Sequence, residues 1–125
     1  MSDARSTDVT VINHFADKAT VTLKHRFGDD DPEERTWEEI SPGQSGPALT
    51  VHYRTGFLTG FDRWQVRVEV LEGREKGVYD NGDWKECFLT KEDQGTVLRF
   101  EVSAEGGFKM NMISSSCTDG LTKRS

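Results

Sequence analysis

The sequence predicts an all-β fold, a single-domain antiparallel β-sandwich of about eight or nine strands, on three observations. Apolar residues alternate with polar ones over most of the chain, Gly, Asn and Pro punctuate it at close intervals, and 125 residues suffice for one hydrophobic core. Residues 1–125 are therefore read as one domain, with 1–6 and 119–125 as frayed ends.

The alternation defines the elements in order. Residues 7–13 open the series. In 19–27, Val21, Leu23, His25 and Phe27 share one face while Thr20, Thr22, Lys24 and Arg26 share the other. The same test gives strands at 36–40, 48–55, 63–72, 86–90, 96–103 and 108–114. In 63–72, Trp64, Val66, Val68 and Val70 face in and Gln65, Arg67 and Glu69 face out. A helical period would separate Trp64 from Val66, so period two wins. One wet and one buried face suits antiparallel sheets. Trp37, Tyr53, Trp64 and Phe100 are the large core candidates.

The connections carry turn chemistry at Pro42-Gly43, Glu72-Gly73, Asn81-Gly82, Gln94-Gly95 and Gly106-Gly107. Asn81-Gly82 is the strongest hairpin signal, because both residues accept positive φ. The one helix candidate is a single turn at 31–34, with Pro32 at the first helical position behind an Asp31 cap.

The formal charge of -6 is concentrated: residues 29–39 hold seven acids against Arg35, and the rest of the chain is neutral. The strongest local field thus has the wrong sign for phosphate, and nucleic acid is excluded as a partner. A solvated loop is the expected reading of this run, with a cationic partner or Ca²⁺ as the alternative. The N-terminal residues lack an apolar signal segment and no window is apolar enough for a membrane helix, so the expected localisation is cytoplasmic, with unconventional secretion left open. Cys87 and Cys117 match no zinc spacing; two reduced thiols are expected, and a disulfide closing about 30 residues is the alternative.

No catalytic residue emerges. By parity His25 points inward and His52 outward, and His14 lies elsewhere, so the imidazoles do not converge on a nucleophile. Gly43-Gln44-Ser45-Gly46 lacks the strand-turn-helix context of a nucleophile elbow. No metal site and no cofactor are expected, since the acids at 29–31 lack the glycine and the closing acid of a calcium loop. A sugar or calcium loop built from Asp80, Asn81 and Asp83 is the minor alternative.

The segment 55–62 places Phe57, Leu58 and Phe61 in glycine-flanked backbone. Folded back, they cap one end of the sandwich, which is the expected arrangement; turned outward, they form a patch for protein, lipid or a sugar ring. Trp84 beside the turn at 80–83 carries the same two readings.

Trp37, Pro42-Gly43, Tyr53, Thr55-Gly56-Phe57, Asp62, Trp64, Cys87-Phe88-Leu89 and Cys117-Thr118 stand in an order that resembles the PUD-like family of nematodes and fungi, named for up-regulation in a long-lived insulin-receptor mutant. The resemblance covers roughly residues 9–119. It implies a small β-sandwich, dimers formed through a sheet surface, and no established enzymatic activity. A more distant likeness of class, with no motif match, is to the lipid-binding aegerolysins. The functional expectation is a non-enzymatic interaction module that contacts protein or a second copy of itself. A membrane-lipid-binding protein using Phe57, Leu58, Phe61 and Trp84, assisted by Arg54 and Arg63, is the first alternative. A lectin is the second.

Overall fold

In the computed structural model the described residues are 3–55, 61–113 and 115–124. They form eleven strands: β1 (Asp3–Asn13), β2 (Ala19–Phe27), β3 (Glu33–Ile40), β4 (Leu49–Thr55), β5 (Asp62–Val70), β6 (Gly77–Asp80), β7 (Lys85–Glu86), β8 (Val97–Ser103), β9 (Gly107–Asn111), β10 (Ser116–Asp119) and β11 (Thr122–Lys123). The first sheet runs β10-β9-β8-β1-β4; the second runs β11-β6-β5-β2-β3, with β7 also on β5. Both sheets turn one face inward, and Trp64, Phe100, Phe108, Leu23, Val11 and Phe15 fill the space between them. The all-β sandwich is as the alternation predicts.

The long strands obey the parity rule. On β2 and β5 every second residue is buried, and all four expected core aromatics, Trp37, Tyr53, Trp64 and Phe100, are inside. One pairing departs from the antiparallel pattern: β1 and β8 run parallel, from Asp8 opposite Val97 to Asn13 opposite Val102. These strands are far apart in sequence, so no tight turn dictates their direction.

Several local expectations are corrected. Residues 3–6 are not frayed, because Asp3 to Ser6 pair with Thr55 to His52. Nor is the C-terminal end: Thr122 and Lys123 pair with β6, and the Arg124 side chain bonds Asp80. The helical turn expected at 31–34 does not form. Glu33 instead begins β3, because backbone pairing with β2 outweighs a single unsupported helical turn. Asn81-Gly82 does not close a hairpin either. Strands β6 and β7 both lie against β5, so this pair kinks one interrupted ribbon along β5, with Gly82 supplying the positive φ of 78°.

The strand expected at 86–90 ends at Glu86, and the reason is side-chain competition for its backbone. Trp64 Nε1 donates to the Cys87 carbonyl at 2.9 Å, the Leu89 amide donates to Asp62 at 3.0 Å, and the Thr90 amide to Asp93 at 2.9 Å. These groups are satisfied without a ladder. The cysteines are also corrected: Cys87 and Cys117 form a disulfide, with Cα atoms 6.0 Å apart. Sequence spacing alone could not reveal that the second sheet's β7 edge folds over β10 of the first.

Candidate functional site

Two features stand out at the margins of the sandwich: a chain of acids and imidazoles at one lateral edge, and an exposed aromatic pair at one end.

The first is built from four strands. His25 on β2 has the inward parity of Leu23 and is fully buried. Its Nε2 lies 2.7 Å from Oδ1 of Asp62 on β5, and its Nδ1 lies 3.0 Å from Oε1 of Glu33 on β3. Glu33 continues across to the other sheet, where Oε2 meets His52 Nδ1 at 2.5 Å and Oε1 accepts the His52 amide at 2.8 Å. The inward and outward parities of His25 and His52 hold, and the two rings meet on a carboxylate, not on a hydroxyl or thiol. Glu33, an edge residue of the acidic run, joins them.

Electrostatics follow from this geometry. Burial pulls the His25 ring toward its neutral form, but the hydrogen bonds and charges of Asp62 and Glu33 outweigh it and raise its pKa above 6.5. Burial likewise works against ionised Glu33, yet its bonds to His25 and His52 leave its pKa below 4.5. Chemically the set is poorly suited to catalysis. Both His25 nitrogens are occupied by carboxylates, and His52 is exposed on a strand edge with one nitrogen already used. His14 pairs separately with Glu101 at 2.8 Å.

The second feature is Phe61 with Phe88. Phe61 is 52% exposed and Phe88 49% exposed, with ring centroids 5.4 Å apart. The expected capping arrangement therefore fails for Phe61; its companion residues Phe57 and Leu58 lie outside the described residues. The pair is firmly mounted. The Phe61 carbonyl accepts the Gly28 amide at 2.9 Å, and the neighbouring Asp62 accepts the amide of Leu89 with its side chain and that of Cys87 with its backbone. Phe88 thus sits between two residues tied to Asp62, one of them in the disulfide. Phe88 was not singled out from sequence as an exposed contact; an aromatic between inward-facing Cys87 and Leu89 had the parity to signal it.

The remaining candidates are committed elsewhere. Asp80 accepts from the Gly82 amide and from Arg124, while Asn81 bonds the Val66 amide, the Trp64 carbonyl and Asp119. Asp83 is exposed and Trp84 half-buried. Among the described residues no group of three or more His, Cys, Asp or Glu side chains is placed to hold a metal ion. Arg54 pairs with Asp30 at 3.0 Å and lies over the Phe27 ring; Arg63 lies 3.7 Å from Glu86. A concavity of about 410 Å³ on the outer face of the second sheet is lined by Lys24, Glu34 and Arg67 among others, with Lys24 paired to Glu34. Among the described residues no helix is long and apolar enough to cross a membrane.

The model of the family described as "Up-Regulated in long-lived daf-2" matches residues 3–81, and the chain belongs to that family. The match spans β1 to β6 and so includes His25, Glu33, His52, Asp62 and Phe61, while Phe88 and both cysteines lie beyond it. No curated protein matches the chain.

Proposed function

We propose that this member of the family is a non-enzymatic interaction module that associates with protein, a second copy of itself in the first instance, through the tip formed by Phe61 and Phe88. The observation that carries this reading is the half-exposed, mutually packed aromatic pair. Aromatic side chains held rigidly at a surface lose little entropy on binding and recur as the energetic centres of interfaces. Here the mount is a buried aspartate and a disulfide, so the rings stay presented to solvent at little conformational cost.

The charges nearby favour protein over an anionic lipid surface. Arg54 and Arg63, the two cations that would assist headgroup binding, are each paired with a carboxylate, and Asp29, Asp30 and Asp31 follow directly on Gly28, which bonds Phe61. The lectin reading loses support because Asp80 Oδ1 already accepts from Arg124 and the Gly82 amide, and Asn81 spends its amide on Val66, Trp64 and Asp119.

Light scattering during size exclusion, over a range of concentrations, tests the proposal. The wild-type chain is expected to associate as concentration rises, and Phe61→Ser/Phe88→Ser to remain monomeric. A wild type that stays monomeric throughout, or sediments with anionic liposomes in a manner the double variant abolishes, overturns it.

A further inference from the structure

We infer that Glu33 is a proton-operated latch on the free edge of the first sheet: it caps the His52 amide while His25 carries both ring protons, and releases it when the ring keeps only one. Nothing in this inference depends on the aromatic tip.

β4 ends the first sheet, so its outward amides have no strand to pair with. The His52 amide is one of these, and Glu33 Oε1 accepts it at 2.8 Å. Glu33 itself belongs to β3, the end strand of the second sheet, so one carboxylate bridges the two lateral edges.

His25 holds that carboxylate from the buried side, and His52 holds it from the edge through its amide and Nδ1. Both nitrogens of the buried ring face carboxylates, and only the imidazolium can donate to both. The groups around it are Asp62 from β5, Glu33 from β3 and, beyond Glu33, His52 from β4. The Tyr53 phenol, also on β4, senses the charge of Asp62, and the ring of Trp64 packs against the imidazole with centroids 4.5 Å apart. A neutral ring has one N–H, so one carboxylate must then face a lone pair.

Burial decides which one yields. The Asp62 side chain is 3% exposed and holds the Leu89 amide, whereas that of Glu33 is 26% exposed and reaches water by turning outward. An ionised carboxylate left with a single amide partner and no water is the costlier alternative. The remaining proton therefore stays on Nε2 with Asp62, Glu33 swings away, and the His52 amide is uncovered. The balance of carboxylates over burial at His25 puts this event above the ordinary imidazole range.

Amide hydrogen exchange and imidazole nitrogen shifts of the full chain, followed from about pH 5.5 to 9.5, test the latch. His25 is expected to start with both nitrogens protonated and to lose the Nδ1 proton. At that same midpoint, exchange of the His52 amide, corrected for its intrinsic pH dependence, should accelerate about tenfold or more while Leu89 stays protected. His52→Ala, which keeps the amide, should retain the step, and Glu33→Gln should abolish it. Constant His52 protection through the His25 titration, loss at Leu89 in its place, or a step that persists in Glu33→Gln or disappears in His52→Ala overturns the inference. If Glu33→Gln does not fold, the wild-type titration decides alone.

Discussion

His25 Nε2 lies 2.7 Å from Asp62 Oδ1 in the interior of the sandwich, where neither side chain has appreciable contact with water. Removing the imidazole leaves Asp62 buried with only the Leu89 amide for a partner. His25→Ala is therefore expected to cost about 3–5 kcal/mol, the usual penalty for orphaning half of a buried ion pair, plus a cavity beside Trp64. Denaturant unfolding at neutral pH measures it. Asp62→Asn in the His25→Ala background should recover part of the loss, because the stranded charge is then gone; no recovery would mean that packing, not charge, sets the cost.

The same network gives stability a bounded pH window. His25 has a raised pKa, so its contribution is complete below 6.5 and fades as pH rises through the folded value. Glu33 has a lowered pKa, so its contribution is complete above 4.5 and fades as pH falls through its folded value. Both are present in full between 4.5 and 6.5. Unfolding midpoints across pH should place the maximum attributable to this pair there, and Glu33→Gln should flatten both flanks; unchanged flanks would dissociate the pair from the pH profile.

At the opposite lateral edge the sheets are tied covalently. The Cys87–Cys117 bridge closes a loop of 30 residues, for which chain entropy predicts a stabilisation of about 3–4 kcal/mol. Reduction, or Cys87→Ala/Cys117→Ala, should lower unfolding free energy by that amount. It should also loosen Phe88, detectable as weaker self-association beyond the stability loss. A protein equally stable with and without reductant would refute the contribution.

Much of this fold was legible because strand parity is local. The alternation in 19–27 and 63–70 needs no knowledge of partners, and it sorted core from surface correctly. Even the site left a trace: His25 shares parity with Leu23, and Asp62 shares parity with Trp64, so a buried acid beside a buried imidazole followed from pairing those strands. Glu33 did not follow, because its bond to His52 spans the two sheets and no local pattern encodes which edges meet. Strands β6, β10 and β11 were missed for a different reason. They have two to four residues each, and β10 reads Ser-Cys-Thr-Asp, with no apolar alternation to detect. Phe57 and Leu58 lie outside the described residues, and the described tip is Phe61 with Phe88.

Gly107 is the position where backbone geometry tolerates least. Its φ is 72°, and an added Cβ would fall 2.2 Å from the Asp119 carbonyl oxygen on the adjoining β10. That neighbour is backbone and cannot swing aside. Gly107→Ala should therefore exceed the roughly 1 kcal/mol cost of left-handed strain alone, reaching about 2–4 kcal/mol by displacing β10. Gly95, with φ of 71° and nothing near its Cβ, is the control: Gly95→Ala should show only the conformational term. Equal losses at the two sites would remove the steric argument.

Asn81 separates a structural turn from a cation site. Its Oδ1 accepts the Val66 amide at 3.0 Å, and its Nδ2 faces the Trp64 carbonyl at 3.4 Å and Asp119 at 3.3 Å, so the side chain pins the kinked ribbon to β5 and reaches toward β10. Asn81→Ala leaves the Val66 amide unpaired where water has poor access, and about 1–3 kcal/mol should be lost. A calcium site at the same turn would behave differently. Millimolar Ca²⁺ would raise the unfolding temperature of the wild type through linkage, and Asp83→Asn would erase that rise. The geometry predicts no such shift, because Asp80 is held by Arg124 and Asn81 by backbone groups, leaving Asp83 as the remaining acid of the turn. A calcium-dependent rise in the wild type that Asp83→Asn abolishes would show that the turn binds the ion despite those bonds.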